Sequence, residues 1–300
     1  MRIAVIGSGA MGCLYSSWLT AENDVTLICH KKETSDFINK NGITINNSDK
    51  FYPETTVSGS HSEKKYDLAI IFVKAYDTES VIKENIDIIK NSEYIMTLQN
   101  GIGNYEIISE YIPENKILIG TSQHNSTLQS TGNIIHGGNG ITSIGGISAD
   151  KLILENIKQN FIKCGFETAV SDNIWEIIWH KLIINAAVNA ITAIYSIPTG
   201  RITEKPFMDI CEKIVQESVK TAELCGLKFS YNSIMNDIYS LAIRQKNAFT
   251  SMYNDVKNGR QTEIDSINGA IFKIAEKNNF HAEFNKYVTD KIHLLETRGI

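Results

Sequence analysis

RIAVIGSGAMG, residues 2–12, decides the fold of the N-terminal half of this 300-residue chain. A short apolar strand at 2–6 runs into Gly7-Ser8-Gly9-Ala10-Met11-Gly12, and a helical apolar pattern follows through Leu14, Trp18 and Leu19. Strand, G-x-G-x-x-G and helix, in that order, is the context of a dinucleotide-binding turn. Gly7 permits the tight turn, Gly9 lets backbone approach a pyrophosphate, and Gly12 lets the helix pack closely on the strand. The free N–H groups of the helix N-terminus then face the phosphates. A glycine-rich turn without a ligand is the plainer reading, and the position directly after the first strand weighs against it.

The next strand, VTLIC at 25–29, ends at His30-Lys31-Lys32, where a dinucleotide fold meets the adenosine ribose. An acid there would accept hydrogen bonds from the ribose 2′-hydroxyl of NAD. Positive charge attracts a 2′-phosphate instead, so NADP(H) is the expected cofactor, with His30 and Lys31 at that edge. A solvated surface lysine pair is the other reading. Strands at 67–73, 94–98 and 117–119 alternate with helices near 77–90 and 104–111, which predicts an α/β fold built on a Rossmann-type doubly wound sheet. Ligands of such sheets lie beyond the strand C-termini, where Lys74 and Gln99-Asn100-Gly101-Ile102-Gly103 fall. Residues 132–146 read as a glycine-punctuated hairpin on the sheet edge, and a helix at 150–164 with a strand at 167–170 closes the domain. From 173 onward the pattern is helical only, at 174–195, 204–225, roughly 231–256, 262–277 and 284–297. The expected division is a Rossmann-like, NADP-binding domain over 1–172 and an all-α substrate domain over 173–300.

The helix at 174–195, IWEIIWHKLIINAAVNAITAIY, is apolar on nearly every face, yet carries Lys181, Asn185 and Asn189 at i, i+4 and i+8. They line one edge. Buried polar groups must be paired, so either a bound polar ligand answers them, or the asparagines bond loop backbone and Lys181 pairs with an acid. A second constellation is TSMYNDVKNGRQTEIDSING, 250–269. Thr262 reads as a helix N-cap and Ile264, Ile267, Ile271 and Ile274 as the buried stripe of its helix, with Glu263 in the first turn.

Composition narrows the function classes. Forty-two per cent hydrophobic and 21 per cent charged residues are ordinary for a globular chain. A net charge of −5 and a pI near 5.8 supply no basic surface for nucleic acid or acidic membrane. Five cysteines without CxxC spacing fit a reduced compartment, and seven scattered histidines form no ligand motif, so no metal is expected. The N-terminus opens directly into a strand, and Asn185 and Asn189 are expected to break the longest apolar run before membrane-spanning length; a cytoplasmic location is expected.

GSGAMG, VKAYD, LQNGIG, the WHKLIINAAVNAITAI helix and SMYNDVKNGRQTEIDSING together resemble the ketopantoate reductases (2-dehydropantoate 2-reductases) over nearly the whole chain. The resemblance implies an active site in a cleft between a Rossmann domain and a helical domain. It also implies NADPH-dependent reduction of ketopantoate to pantoate, for pantothenate and coenzyme A synthesis. Lys181 matches the catalytic proton donor, and Glu263 the acid that supports it and binds near the nicotinamide ribose. Asn185, Asn189 and Ser251 match substrate-binding positions. Gly7, Ser8, Gly9, Ala10, Met11, Gly12, Lys74, Asn100 and Ser126 match cofactor contacts. One position departs: Thr199 stands where a further substrate-binding asparagine is expected, and its hydroxyl has shorter reach. Two other readings stay open, a reductase of another branched 2-oxo acid on this scaffold and a non-catalytic NADP(H)-binding protein. A proton donor such as Lys181 is superfluous in the latter. The implied partner is a small 2-oxo acid, and a homodimer is left open.

Overall fold

Ile3, Ala4, Val5 and Ile6 are all fully buried, which makes β1 (Arg2–Ile6) an interior strand. The structure, a computed structural model, describes residues 1–298; the last two residues of the expected 173–300 domain lie outside it. Around β1 an eight-stranded sheet forms from β2 (Asp24–Cys29), β5 (Glu54–Val57), β6 (Tyr66–Ile71), β7 (Ser92–Thr97), β8 (Ile117–Ser122), β11 (Thr142–Gly145) and β12 (Thr168–Val170). Its order is β12-β11-β8-β7-β6-β1-β2-β5. The strands are parallel from β5 to β8, and β11 joins β8 antiparallel. The chain leaves β1 toward β2 on one side and returns through β6 on the other, so the end of β1 is the point where strand order reverses. Helices α1 (Ala10–Leu19), α2 (Lys32–Asn41), α3 (Thr78–Glu84), α4 (Ile86–Lys90), α5 (Asn104–Ser109) and α6 (Lys151–Lys163) accompany the strands.

Three sequence expectations for this half are corrected. Residues 132–146 are not a hairpin. β10 (Asn133–Gly138) pairs antiparallel with β9 (Asn125–Ser130) in a separate four-stranded sheet, completed by β3 (Ile43–Ile45) and β4 (Asp49–Phe51), while β11 crosses into the large sheet. The expected helix at 77–90 is a 3-10 turn, Ala75–Asp77, followed by two helices parted at Asn85. The buried Asn85 amide donates to Val81 O and Ser58 Oγ, both at 2.8 Å, which holds the break. Strands β3, β4, β5 and β9 were not expected: β3 alternates but is only three residues long, and the other three have no fully buried residue.

The helical part comprises α7 (Ile174–Tyr195), α8 (Phe207–Leu224), α9 (Tyr231–Arg244), α10 (Ser251–Lys257), α11 (Asn268–Lys277) and α12 (Glu283–Arg298), with 3-10 turns at Thr199–Thr203 and Ile264–Ser266. By density of contacts the chain divides into two units, and Asn100–Gly103 belongs with the helices from Trp175 onward. The expected helix at 231–256 is two helices. Gly200 N–H donates to Lys246 O (3.1 Å) and Thr199 N–H to Ala248 O (2.9 Å), so the connecting loop follows the 3-10 turn rather than a helix. A Cβ on Gly200 would lie 2.6 Å from Lys246 O, a contact only glycine allows. Likewise 262–277 is a 3-10 turn and a helix, parted at Ile267 (φ −108°, ψ −96°).

α7 forms the centre of the helical core, with Leu182, Ile183, Ala186, Ala187, Ala190 and Ile191 buried. By length and composition it would serve as a membrane span, so Asn185 and Asn189 do not shorten the apolar run as expected. Its packing against α8, α9 and α11 side chains is what a core helix makes.

Candidate active site

In the sheet unit the site begins at the glycine turn. Gly7 takes φ +112° and its N–H donates to Ile28 O at 3.0 Å, bending the chain off the sheet. A Cβ on Gly12 would lie 1.7 Å from Gly7 O, so only glycine lets α1 start there. Gly9, by contrast, has nothing within 4 Å of where a Cβ would be, and no side chain caps the first turn of α1. A turn with open space before uncapped N–H groups is the cradle an anion such as a pyrophosphate fits. Ser126, on β9, donates to Ala10 O at 3.3 Å, which puts it at the first turn of α1. Lys74 follows the end of β6. Gln99 holds this end: its Nε2 donates to Val73 O (2.8 Å) and Thr78 Oγ1 (2.9 Å), and its Oε1 accepts from Thr97 Oγ1 (2.9 Å).

His30, Lys31 and Lys32 are exposed after β2, with Lys31 at the N-cap of α2. Asp77 lies close enough to His30 to feel it: burial raises the Asp77 pKa and His30 pulls it back. A carboxylate from the turn after β6 therefore enters an edge that the sequence presents as basic only. Its position in the chain, 47 residues beyond His30, gave no local signal.

In the helical unit Lys181, Asn185 and Asn189 form a half-buried edge of α7 beside the buried Leu182, Ala186 and Ala190. Burial pulls the Lys181 ammonium down to about 8, and the Glu263 carboxylate opposes that fall. Glu263 is 8% exposed and precedes the 3-10 turn, where its O accepts from Ser266 Oγ at 3.0 Å. It is therefore not the solvated first-turn residue its sequence position suggests. Thr192 Oγ1 bonds Asn189 O (3.0 Å) and Thr250 Oγ1 (2.8 Å), and Thr250 caps α10, whose first residue is Ser251. Asn189 and Ser251 are thus tied to one junction. Thr199 is 1% exposed, its N–H reaches the loop leading to that junction, and its hydroxyl has no hydrogen-bond partner among the described residues. Asn100 heads the segment grouped with the helical unit, where Ile102 N–H donates to Ser266 O at 2.9 Å. Gly101 (φ +79°) allows this approach, since a Cβ there would lie 2.4 Å from Ser266 O. Asn268, fully buried, donates to Ala186 O (3.0 Å) and Asn285 Oδ1 (3.1 Å). The sequence reading passed over it, although an amide amid Ile264, Ile267 and Ile271 was a usable signal. Among the described residues, no group of three or more His, Cys, Asp or Glu could hold a metal.

A doubly wound sheet with a glycine turn, followed by helices whose central member carries a lysine within the field of a buried carboxylate, defines a two-unit oxidoreductase. Two family models cover most of the chain: Ketopantoate reductase PanE/ApbA matches residues 3–149 and Ketopantoate reductase PanE/ApbA C terminal matches residues 173–296. The chain belongs to the ketopantoate reductase family, the family its motifs resemble. It is 33% identical over 302 residues to a 2-dehydropantoate 2-reductase of Pyrococcus horikoshii, covering 100% of this chain and 99% of that one. A second relative of the same name, from Halobacterium salinarum, is 28% identical over 305 residues and covers 100% of both. Among solved structures, the ternary structure of D-mandelate dehydrogenase with NADH and anilino(oxo)acetate superposes with a TM-score of 0.94 at 26% identity, covering 99% of each chain.

Proposed function

We propose that this protein reduces the ketone of 2-dehydropantoate to (R)-pantoate with NADPH, the step that supplies pantoate for pantothenate and coenzyme A. The observation that carries the reading is Lys181: a lysine on a largely apolar helix, its pKa lowered to about 8 by burial, with Glu263 opposing the fall. The bound nicotinamide supplies a hydride to the ketone carbon. Lys181 donates a proton to the carbonyl oxygen, and its ammonium neutralises the alkoxide as charge develops. Glu263 keeps that ammonium charged and accepts from the nicotinamide ribose. Asn185, Asn189, Ser251 and Thr199 bind the 2-oxo acid, and the unpartnered Thr199 hydroxyl supports a polar ligand there. Gly7 to Gly12 and Ser126 hold the pyrophosphate, Lys74 and Asn100 hold the dinucleotide further along, and His30 and Lys31 take the 2′-phosphate.

A second reading is an NADH-dependent reductase of a bulkier 2-oxo acid. The D-mandelate dehydrogenase neighbour carries NADH and anilino(oxo)acetate, Asp77 lies near His30, and Thr199 is shorter than asparagine. Specificity constants for a panel of 2-oxo acids, each with NADPH and NADH, separate the two. The expected result is a maximum for ketopantoate with NADPH, preferred over NADH by about tenfold or more, as a charge-assisted contact gives. A maximum for an aryl 2-oxo acid, or equal use of the two cofactors, would overturn the corresponding half of the proposal.

A further inference from the structure

Asn268 is a buried amide in the wrong company. It is 0% exposed between the apolar positions Ile267 and Ile271, both of its N–H donors are engaged, and its Oδ1 has no hydrogen-bond partner among the described residues. An orphaned buried carbonyl costs stability that an apolar residue of similar size would not. What the amide gives in return is a bond between two elements. Its Nδ2 donates to the backbone O of Ala186 on α7, five residues past Lys181 and one past Asn185. Its own backbone begins α11, directly after the turn that carries Glu263.

The bond is backed from behind. Asn268 also donates to Asn285 Oδ1, and Asn285 Nδ2 and N–H both donate to Glu217 Oε2 on α8 at 2.9 Å. Glu217 Oε1 accepts from Phe284 N–H at 2.9 Å, so the carboxylate also closes the start of α12. Thr262 N–H to Glu296 Oε1 (2.7 Å) and Ile102 N–H to Ser266 O (2.9 Å) tether the Glu263 turn to α12 and to the 100–103 segment. Of these tethers, the Asn268 bond reaches α7. Every member lies in the helical unit.

We propose that Asn268 is a positioning residue that fixes the Glu263 turn against the Lys181 helix, with Asn285 and Glu217 as its support. The proposal rests on the roles given above to Lys181 and Glu263, and the experiment is chosen to separate the two. Protein labelled with 13C-lysine is titrated by NMR through the Lys181 Cε signal, assigned by its loss in Lys181→Ala. Loosening Glu263 removes the group that holds the ammonium up, so in Asn268→Ala the Lys181 midpoint falls below its wild-type value. In Glu263→Gln the midpoint also falls, and adding Asn268→Ala to it produces no further fall. In the same variant kcat for the 2-oxo acid drops by about tenfold or more, as displaced catalytic groups give, with KM for the dinucleotide nearly unchanged. If Asn268→Ala does not fold, Asn285→Ala, which removes only the support, carries the same expectation at smaller size. A Lys181 midpoint identical to wild type in a variant whose melting temperature alone has fallen would overturn the proposal, because Asn268 would then be structural only. A fallen midpoint with unchanged kcat upholds the clamp and defeats the proton-donor reading instead.

Discussion

Lys181 gives the sharpest residue-scale expectations. Its pKa is lowered from 10.5 to about 8 by burial. With Lys181 as the proposed proton donor, reduction would require the ammonium and the reverse oxidation the free amine. The specificity constant for reduction should therefore fall as pH rises through about 8, while that for pantoate oxidation rises through the same range. Profiles in both directions check this, and parallel profiles would count against it. The folded state binds the Lys181 proton less tightly than the unfolded state, so this residue makes stability increase with pH between about 8 and 10.5. In Lys181→Arg the charge persists but a proton is scarcely released, so substrate binding should recover more than rate, with kcat still lower by about 10². The i, i+4, i+8 spacing of Lys181, Asn185 and Asn189 was legible because a helical period fixes which residues share an edge. The burial of Glu263 was not. It depends on the backbone break at Ile267 and on tethers from residues 102 and 296, which no local pattern encodes.

At the scale of elements, α1 and the strands beside it carry two expectations. Gly12→Ala would set a Cβ 1.7 Å from Gly7 O and 2.9 Å from Gly7 C, backbone atoms rather than the end of a side chain able to yield. The turn must deform, so NADPH affinity should fall by about tenfold or more even where the protein still folds, an outcome read by cofactor titration. β9 and β10 bring His124 Nδ1 to 3.3 Å from His136 Nε2, against the rings of Tyr15, Trp18 and Phe166. Burial, and then the neighbouring imidazole, lower the His124 pKa to about 4, below its ordinary 6.5. The unfolded chain binds the proton more readily, so stability is fully present above 6.5 and is lost as pH falls from 6.5 toward 4. Urea midpoints across that range should decline in wild type and decline less in His124→Phe; equal slopes would refute the assignment. The parallel core of the sheet was readable because its strands carry continuous apolar runs, IAVI in β1 and LAII in β6 among them, that are buried on both faces. β4, β5 and β9 were not, since DKF, ETTV and NSTLQS are mostly polar and at most half-buried, which leaves no buried apolar alternation to detect. Missing β9 is also what turned β10 and β11 into a false hairpin.

The molecule as a whole has two cores, one built on the sheet and one on α7. The switch from alternating strands and helices to helices alone was visible in the sequence near residue 172. The attachment of Asn100–Gly103 to the helical unit was not, because it follows from one backbone bond and one glycine packed on Ser266. If the dinucleotide binds the native protein alone, NADPH at a hundred times its Kd should stabilise the fold by about 2.7 kcal/mol, seen as a raised melting temperature. The division of labour itself is tested most directly by Lys181→Ala, with turnover and cofactor affinity measured on the same preparation. The expected result is that kcat for ketopantoate reduction falls by about 10² to 10⁴ while the Kd for NADPH stays within about twofold of wild type. Near-normal turnover, or a loss of NADPH affinity as large as the loss of rate, would contradict it.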